Sequence, residues 1–196
     1  MSHLVFGPSV ALVVVDVQND FADPSGSLSV RGGEAVVRAV NQLGIEARTA
    51  GANVVYTQDW HPPDTPHFEK DGGIWPVHCV AGTWGAEFHP DLVVEGETIR
   101  KGTGGEDGYS GFTMRDPVTD EQRSTGLAEV LRRDRVSSVV IAGLATDYCV
   151  KATALDAVEL GFATTVACDA IAAVDVEAGD GERALAELAA AGVTFA

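Results

Sequence analysis

A carboxylate, an ammonium and a thiol stand at three separated points of this chain, each beside an apolar run. Asp16 follows Val10–Val15, Lys101 ends the segment Glu97–Lys101, and Cys149 comes a few residues after Val139-Val140-Ile141-Ala142. Together these types can carry out nucleophilic catalysis: the thiol attacks, the carboxylate removes its proton, and the cation keeps the carboxylate ionised and in place. Separately each has a plainer use, Asp16 as a turn or helix cap, Lys101 as a solvated charge and Cys149 as a small core residue. The chemical reading therefore depends on a fold that brings them together.

A second set lies within one short stretch. Asp59-x-His61-x5-His67, followed by His78, offers one carboxylate and three imidazoles, ligands suited to one divalent metal ion such as Zn²⁺, Fe²⁺ or Mn²⁺. No cysteine belongs to the set, and such a site with room for water is functional rather than closed and structural. Any one of these histidines alone would be an ordinary loop residue; together, at this spacing, they point to metal. His3 and His89 are left without a role. Cys79 reads as a packing residue and Cys168 as a buried one.

The elements that must position these groups alternate along the chain. Short β-branched runs at Val10–Val15, Asn53–Thr57, Glu97–Lys101, Ser138–Gly143, Ala163–Ala167 and Val193–Phe195 read as strands, most of them continuously apolar as strands covered on both faces are. Between them, apolar residues recur at helical spacing in Gly33–Ala50, in Thr125–Arg133 with Ser124 as its cap, in Asp147–Leu160 ended by Gly161, and in the alanine-rich Gly181–Ala191. This pattern predicts an α/β fold in a single domain over residues 1–196: a doubly wound, Rossmann-like, mainly parallel six-stranded sheet with helices on both faces. In that topology Asp16, Lys101 and Cys149 all reach the carboxyl edge, where such sheets bind ligands. A strand, the turn "LATD" and then a helix put Cys149 at a helix N-terminus, where free amides and the dipole favour a thiolate and can hold an oxyanion. That arrangement suits acyl transfer from an amide or ester. Trp60 to Val94 fits no periodic element, yet it holds four of the five histidines and all three tryptophans. Its aromatic content argues for an ordered, functional loop, and about 59–94 is the expected metal-binding insertion.

Charge narrows the partners. Thirteen Lys plus Arg against twenty-nine Asp plus Glu give a net charge of −16, which repels nucleic acid and anionic membranes. A small molecule or another protein, a second copy of the chain included, is the expected partner. Leu4 to Val15 is broken by Gly7-Pro8, has no Lys or Arg before it and runs into Asp16, so it reads as a strand and not a signal peptide. Three widely spaced cysteines suggest no disulfide framework and a reducing, cytoplasmic setting.

Five ordered motifs carry a family resemblance: "VDVQNDF" (Val15 to Phe21), "TQDWHPPDTPHF" (Thr57 to Phe68), "WPVHCVAGTWGAEFHP" (Trp75 to Pro90), "KG…YSGF" (Lys101 to Phe112) and "GLATDYCV" (Gly143 to Val150). The chain resembles the isochorismatase-like cysteine hydrolases, and among them the nicotinamidases, also called pyrazinamidases. The resemblance implies that Asp16, Lys101 and Cys149 form a catalytic triad, that the Leu144–Ala145 bond is cis, and that the Ala145 and Cys149 amides form the oxyanion hole. It implies metal ligands at Asp59, His61, His67 and His78, and a ring sandwiched by Phe21 and Trp75, with Tyr109 lining the same cavity. The implied reaction is hydrolysis of nicotinamide to nicotinate and ammonia in NAD salvage, with pyrazinamide as a further substrate. The glycine-rich, acidic "TGGEDG" before Tyr109 departs from the family pattern. Two other readings stay open: an amidohydrolase of carbamoyl or ureido groups, against which the histidine set counts, and a metal-loaded binding protein without turnover, against which the complete Asp16, Lys101 and Cys149 set counts.

Overall fold

The computed structural model describes residues 4–196, so His3 lies outside the described residues. Among the described residues eight strands and five α-helices follow one another as β1 (Val10–Val15), α1 (Asn19–Ala22), α2 (Gly33–Thr49), β2 (Asn53–Asp59), β3 (Glu97–Lys101), β4 (Thr113–Arg115), β5 (Gln122–Ser124), α3 (Leu127–Arg133), β6 (Ser138–Leu144), α4 (Lys151–Glu159), β7 (Ala163–Ala172), α5 (Asp180–Ala190) and β8 (Thr194–Phe195). Six of the strands form one sheet in the order β3-β2-β1-β6-β7-β8, and every neighbouring pair in it is parallel. The doubly wound six-stranded sheet expected from the sequence is therefore observed.

Alternation along the central strands supplies two cores. From β1, Ala11, Val13 and Val15 join Val150, Ala154 and Leu188 on the face covered by α3, α4 and α5. Leu12 and Val14 point the other way and pack with Val36, Val37 and Val40 of α2. Both faces of β1 and β6 are thus dry, which is why these strands read as unbroken apolar runs. The chain winds outward from β1 to β3 and then returns to place β6 on the other side of β1, so the switch point lies between the ends of β1 and β6.

Several local expectations are corrected. The helix expected from Thr125 begins at Leu127, with Gly126 at φ 94° as its cap residue, because Ser124 belongs to a small antiparallel ribbon of β4 and β5. The helix expected from Asp147 begins as a wide π-helical turn, Thr146–Val150, that runs into α4. The strand expected to stop at Ala167 continues to Ala172, and Cys168 is exposed, not buried. Its pairing with β6 jumps from Ile141↔Val166 to Gly143↔Ile171, and the extra residues of β7 bulge outward and carry Cys168 with them.

Candidate active site

Asp16 sits directly past β1 with φ 47°, a left-handed conformation that costs energy outside glycine and persists only where the surroundings impose it. Thr57 of β2 imposes it. Its hydroxyl accepts the Asp16 amide at 3.2 Å and donates to Asp16 Oδ1 at 2.6 Å. The other oxygen, Oδ2, lies 2.7 Å from Lys101 Nζ in an ion pair. On the far side of the switch point, Gly143 has φ 117°, and a Cβ there would fall 2.1 Å from the Val15 carbonyl oxygen. Only glycine lets β6 press so closely on the end of β1 and deliver the turn that follows it to Asp16.

That turn starts at a cis Leu144–Ala145 bond. The Tyr148 and Val150 amides both donate to Ala145 O, at 3.1 and 3.0 Å. Cys149 points its sulfur at the buried pair, with Lys101 Nζ 3.7 Å from Sγ. Thr153 Oγ1 holds the Cys149 carbonyl at 2.6 Å. The three residues proposed from types and spacing are thus brought together by the ends of β1 and β3 and the turn after β6.

The electrostatics follow from complete burial. Burial works to lower the Lys101 ammonium, but Asp16 and Asp59 outweigh it and hold its pKa well above the ordinary lysine value. Lys101 also donates to the Gly108 carbonyl. Burial raises Asp16 above the usual carboxylate value, and the Lys101 charge opposes that rise. For Cys149, burial pushes the thiol well above its ordinary value, Lys101 pulls it down, and Asp16 and Asp59 push it up. Burial and two carboxylates thus oppose the pull of one ammonium on this thiol, which accords with a nucleophile that gives its proton to Asp16 as it attacks.

The histidines gather about 59–78 because the loop is stitched back on itself. His61 N donates to Cys79 O at 3.0 Å and Ala81 N to His61 O at 2.8 Å, which lays His61 beside the His78–Cys79 segment. Glu69 N to Trp75 O at 2.7 Å does the same for the stretch after His67. Gln18 clamps the end of β2, donating from Nε2 to Asp59 O at 2.7 Å and accepting the Asp59 amide at 2.8 Å. One ring nitrogen from each of His61, His67 and His78 lies within 4.8 Å of the others. Asp59 Oδ2 is 3.1 Å from His61 Nε2 and 3.6 Å from His78 Nε2, and its Oδ1 is 3.4 Å from Lys101 Nζ. Burial works to raise the Asp59 carboxyl, but the charges of Lys101 and His61 overcome it and hold Asp59 well below the usual carboxylate range.

The donor set fits a divalent cation. His78 Nδ1 is 2.7 Å from Pro76 O and His67 Nδ1 is 2.6 Å from Asp107 Oδ1. Both acceptors require Nδ1–H, so the Nε2 lone pairs are left for a ligand. His61 Nδ1 is buried with no partner, in keeping with a ring whose other nitrogen is the one in use.

A cleft of about 510 Å³, its mouth included, opens over these groups, lined by Cys149, Ala145, His67, His78, Phe21, Trp75 and Tyr109 among others. Asp16, Lys101 and His61 lie behind this lining, fully buried. Phe21 packs on His78 with ring centroids 5.7 Å apart, and Trp75 Nε1 donates to the Tyr109 hydroxyl at 2.8 Å. Burial pushes the Tyr109 hydroxyl up to about 12. Tyr148, not singled out from the sequence, closes the same wall against Trp75 at 4.9 Å; its place beside Cys149 was the available signal. Thr57, Gln18 and Asp107 were also missed. His89 serves the fold, its amide donating to Val17 O at 3.0 Å and its ring accepting the Asp91 amide at 3.2 Å. Cys79 is buried and its thiol is pushed well up by burial.

The isochorismatase domain family matches residues 10–196. A nicotinamidase of Acinetobacter baylyi is 40% identical over 202 residues, covering 93% of this chain and 90% of the relative. A pyrazinamidase of Pyrococcus horikoshii, solved in complex with zinc, superposes with a TM-score of 0.85 at 39% identity, covering 96% of this chain and 99% of that one. PnC1 from L. infantum, solved in complex with nicotinate, gives 0.89 at 37% identity, covering 98% and 95%.

Proposed function

The chain belongs to the isochorismatase family, and from that membership and the geometry of its cleft we propose that it is a nicotinamidase, hydrolysing nicotinamide to nicotinate and ammonia. The observation that carries this reading is the position of the Cys149 thiol, backed by the buried Asp16–Lys101 pair, at the floor of an aromatic cleft whose side wall is the His67 and His78 cluster. An aromatic wall receives a flat ring, and the thiol meets the carboxamide it carries. Pyrazinamide, with the same ring size and carboxamide, is a second substrate.

Cys149 is the nucleophile and Asp16 the base. As Sγ attacks the carboxamide carbon, its proton passes to the Asp16 carboxylate. The carbonyl oxygen becomes an oxyanion held by the Ala145 and Cys149 amides. Collapse expels the nitrogen as ammonia with the proton that Asp16 returns. Water then attacks the thioester with Asp16 again as base, releasing the carboxylate and restoring the thiol. Lys101 keeps the carboxylate placed throughout, and Phe21, Trp75 and Tyr109 hold the ring.

Asp59, His61, His67 and His78 hold one divalent ion, Zn, Fe or Mn, and about 59–94 is then the metal-binding insertion of a single domain. When bound, that ion supplies a Lewis-acid contact for the ring nitrogen. The unpaired cysteines support a reducing, cytoplasmic setting. Ammonia release from nicotinamide, measured on metal-loaded and chelator-treated protein, tests the reading: no release from the loaded protein would sink it.

A further inference from the structure

Apart from the Gly108 carbonyl that holds Lys101, the glycine-rich, acidic segment 102–108 and the ribbon of β4 and β5 have no part in the reaction as written. Their hydrogen bonds converge on Asp107. It exchanges two backbone bonds with Arg115 of β4, Asp107 N to Arg115 O at 2.7 Å and Arg115 N to Asp107 O at 3.0 Å, so the ribbon sets its position. From the other side, Thr65 Oγ1 donates to Gly105 O at 2.7 Å and accepts the His67 amide at 3.2 Å. The loop carrying His67 is thereby tied to the segment carrying Asp107. The result is a contact of 2.6 Å between His67 Nδ1 and Asp107 Oδ1, with the two side chains 5% and 17% exposed.

We infer that Asp107 is a positioning residue of the metal site, fixing the tautomer and ring plane of His67. An ionised carboxylate only accepts, so Nδ1 carries the hydrogen and Nε2 keeps the lone pair. The Pro76 carbonyl does the same for His78, and the two rings then turn the same nitrogen toward a common centre. A carboxylate on the far nitrogen also makes the imidazole a more basic donor. This inference rests on the reading that His67 holds a divalent ion. The plainer role, a staple between two loops, would affect folding and leave metal affinity alone.

The test is titration of metal-free protein with Co²⁺, followed by visible absorption and by competition with a chromophoric chelator, alongside thermal unfolding of the metal-free forms. Asp107→Ala is expected to bind Co²⁺ about 10–100-fold more weakly and to change its spectrum. Asp107→Asn, which keeps an acceptor oxygen without the charge, should fall between. In a His67→Ala background, removing Asp107 should change the affinity no further. Wild-type affinity and spectrum in both Asp107 variants, with weakened binding in His67→Ala, overturns the inference and leaves His67 a ligand. Undiminished binding in His67→Ala overturns the metal reading itself. Should Asp107→Ala fail to fold, Asp107→Asn decides: wild-type affinity overturns the inference and a several-fold loss supports it.

Discussion

Replacing Thr57 by valine removes the hydroxyl that holds the proposed base and keeps nearly the same volume. Thr57 Oγ1 donates to Asp16 Oδ1 at 2.6 Å, both residues fully buried, and this bond favours the ionised carboxyl. A hydrogen bond to a charged group contributes about 1.5–3 kcal/mol and one to a neutral group about 0.5–1.5 kcal/mol, and only the difference, at about 1.4 kcal/mol per pH unit, moves the ionisation of Asp16, so losing the hydroxyl carries it upward by roughly one pH unit. The sign is set by the chemistry. Burial already raises Asp16, and loss of a stabilising donor raises it further. The base acts only when ionised, so the acid limb of kcat/KM moves to higher pH by that amount. Below the limb the variant is slower by about tenfold for each pH unit the limb has moved, and well above it the rate recovers. Ammonia release measured against pH for wild type, Thr57→Val and Thr57→Ser checks this, the serine keeping both hydrogen bonds and hence the wild-type limb. A folded Thr57→Val whose limb coincides with wild type would refute Asp16 as the base whose ionisation governs the rate.

Three further outcomes follow from the same geometry. Cys149→Ala should release no ammonia while keeping its metal content, whereas Cys79→Ala and Cys168→Ala stay active; turnover in Cys149→Ala would end the cysteine-hydrolase reading. Lys101→Ala leaves Asp16 and Asp59 buried without their cation, so urea unfolding should show a loss of about 3–5 kcal/mol together with severely reduced turnover, and near-wild-type values in both would reduce Lys101 to a bystander. Benzamide lacks the ring nitrogen and should be a far poorer substrate than nicotinamide, each 1.4 kcal/mol of lost productive binding lowering kcat/KM about tenfold. His61→Ala should erase that discrimination along with the metal, and a wild-type ratio near unity would shift the substrate to carbamoyl or ureido compounds.

What the sequence revealed follows the dry parts of the molecule. β1 and β6 are covered on both faces, so their apolar runs are unbroken, and Asp16 stands out as the first charge after one of them. The proposed ligand histidines stood out because three imidazoles and a carboxylate at this spacing are rare in one loop. The ribbon of β4 and β5 was invisible: Gln122, Arg123 and Ser124 are all exposed, and a strand paired on one edge only needs no apolar alternation. The bulge that exposes Cys168 is a matter of register, settled by pairing with β6 and not by local composition. Thr57 and Asp107 act through partners 41 and 40 residues away, and a threonine in a β-branched strand looks like any other strand residue. Gln18 was within reach, since it lies inside the motif that identified Asp16.

The neutral thiol gives the proposed cycle its economy of charge. Asp16 and Asp59 already share Lys101, so a resting thiolate at Cys149 would add a third anion to a buried group with one ammonium, and burial makes that costly. Passing the proton to Asp16 during attack avoids it. The carboxylate is neutralised as the sulfur forms its bond, and the negative charge appears on the substrate oxygen beside the Ala145 and Cys149 amides. The net charge of the cluster stays constant, with the anion moving from Asp16 to the oxyanion. Lys101, fixed by the Gly108 carbonyl as well as by the two carboxylates, need not move while this happens, and a cation that does not reorganise is what a preorganised site requires. Asp16 must therefore be ionised at rest yet able to take the thiol proton, and burial, which raises that one carboxyl, works against Lys101 and Thr57, which lower it.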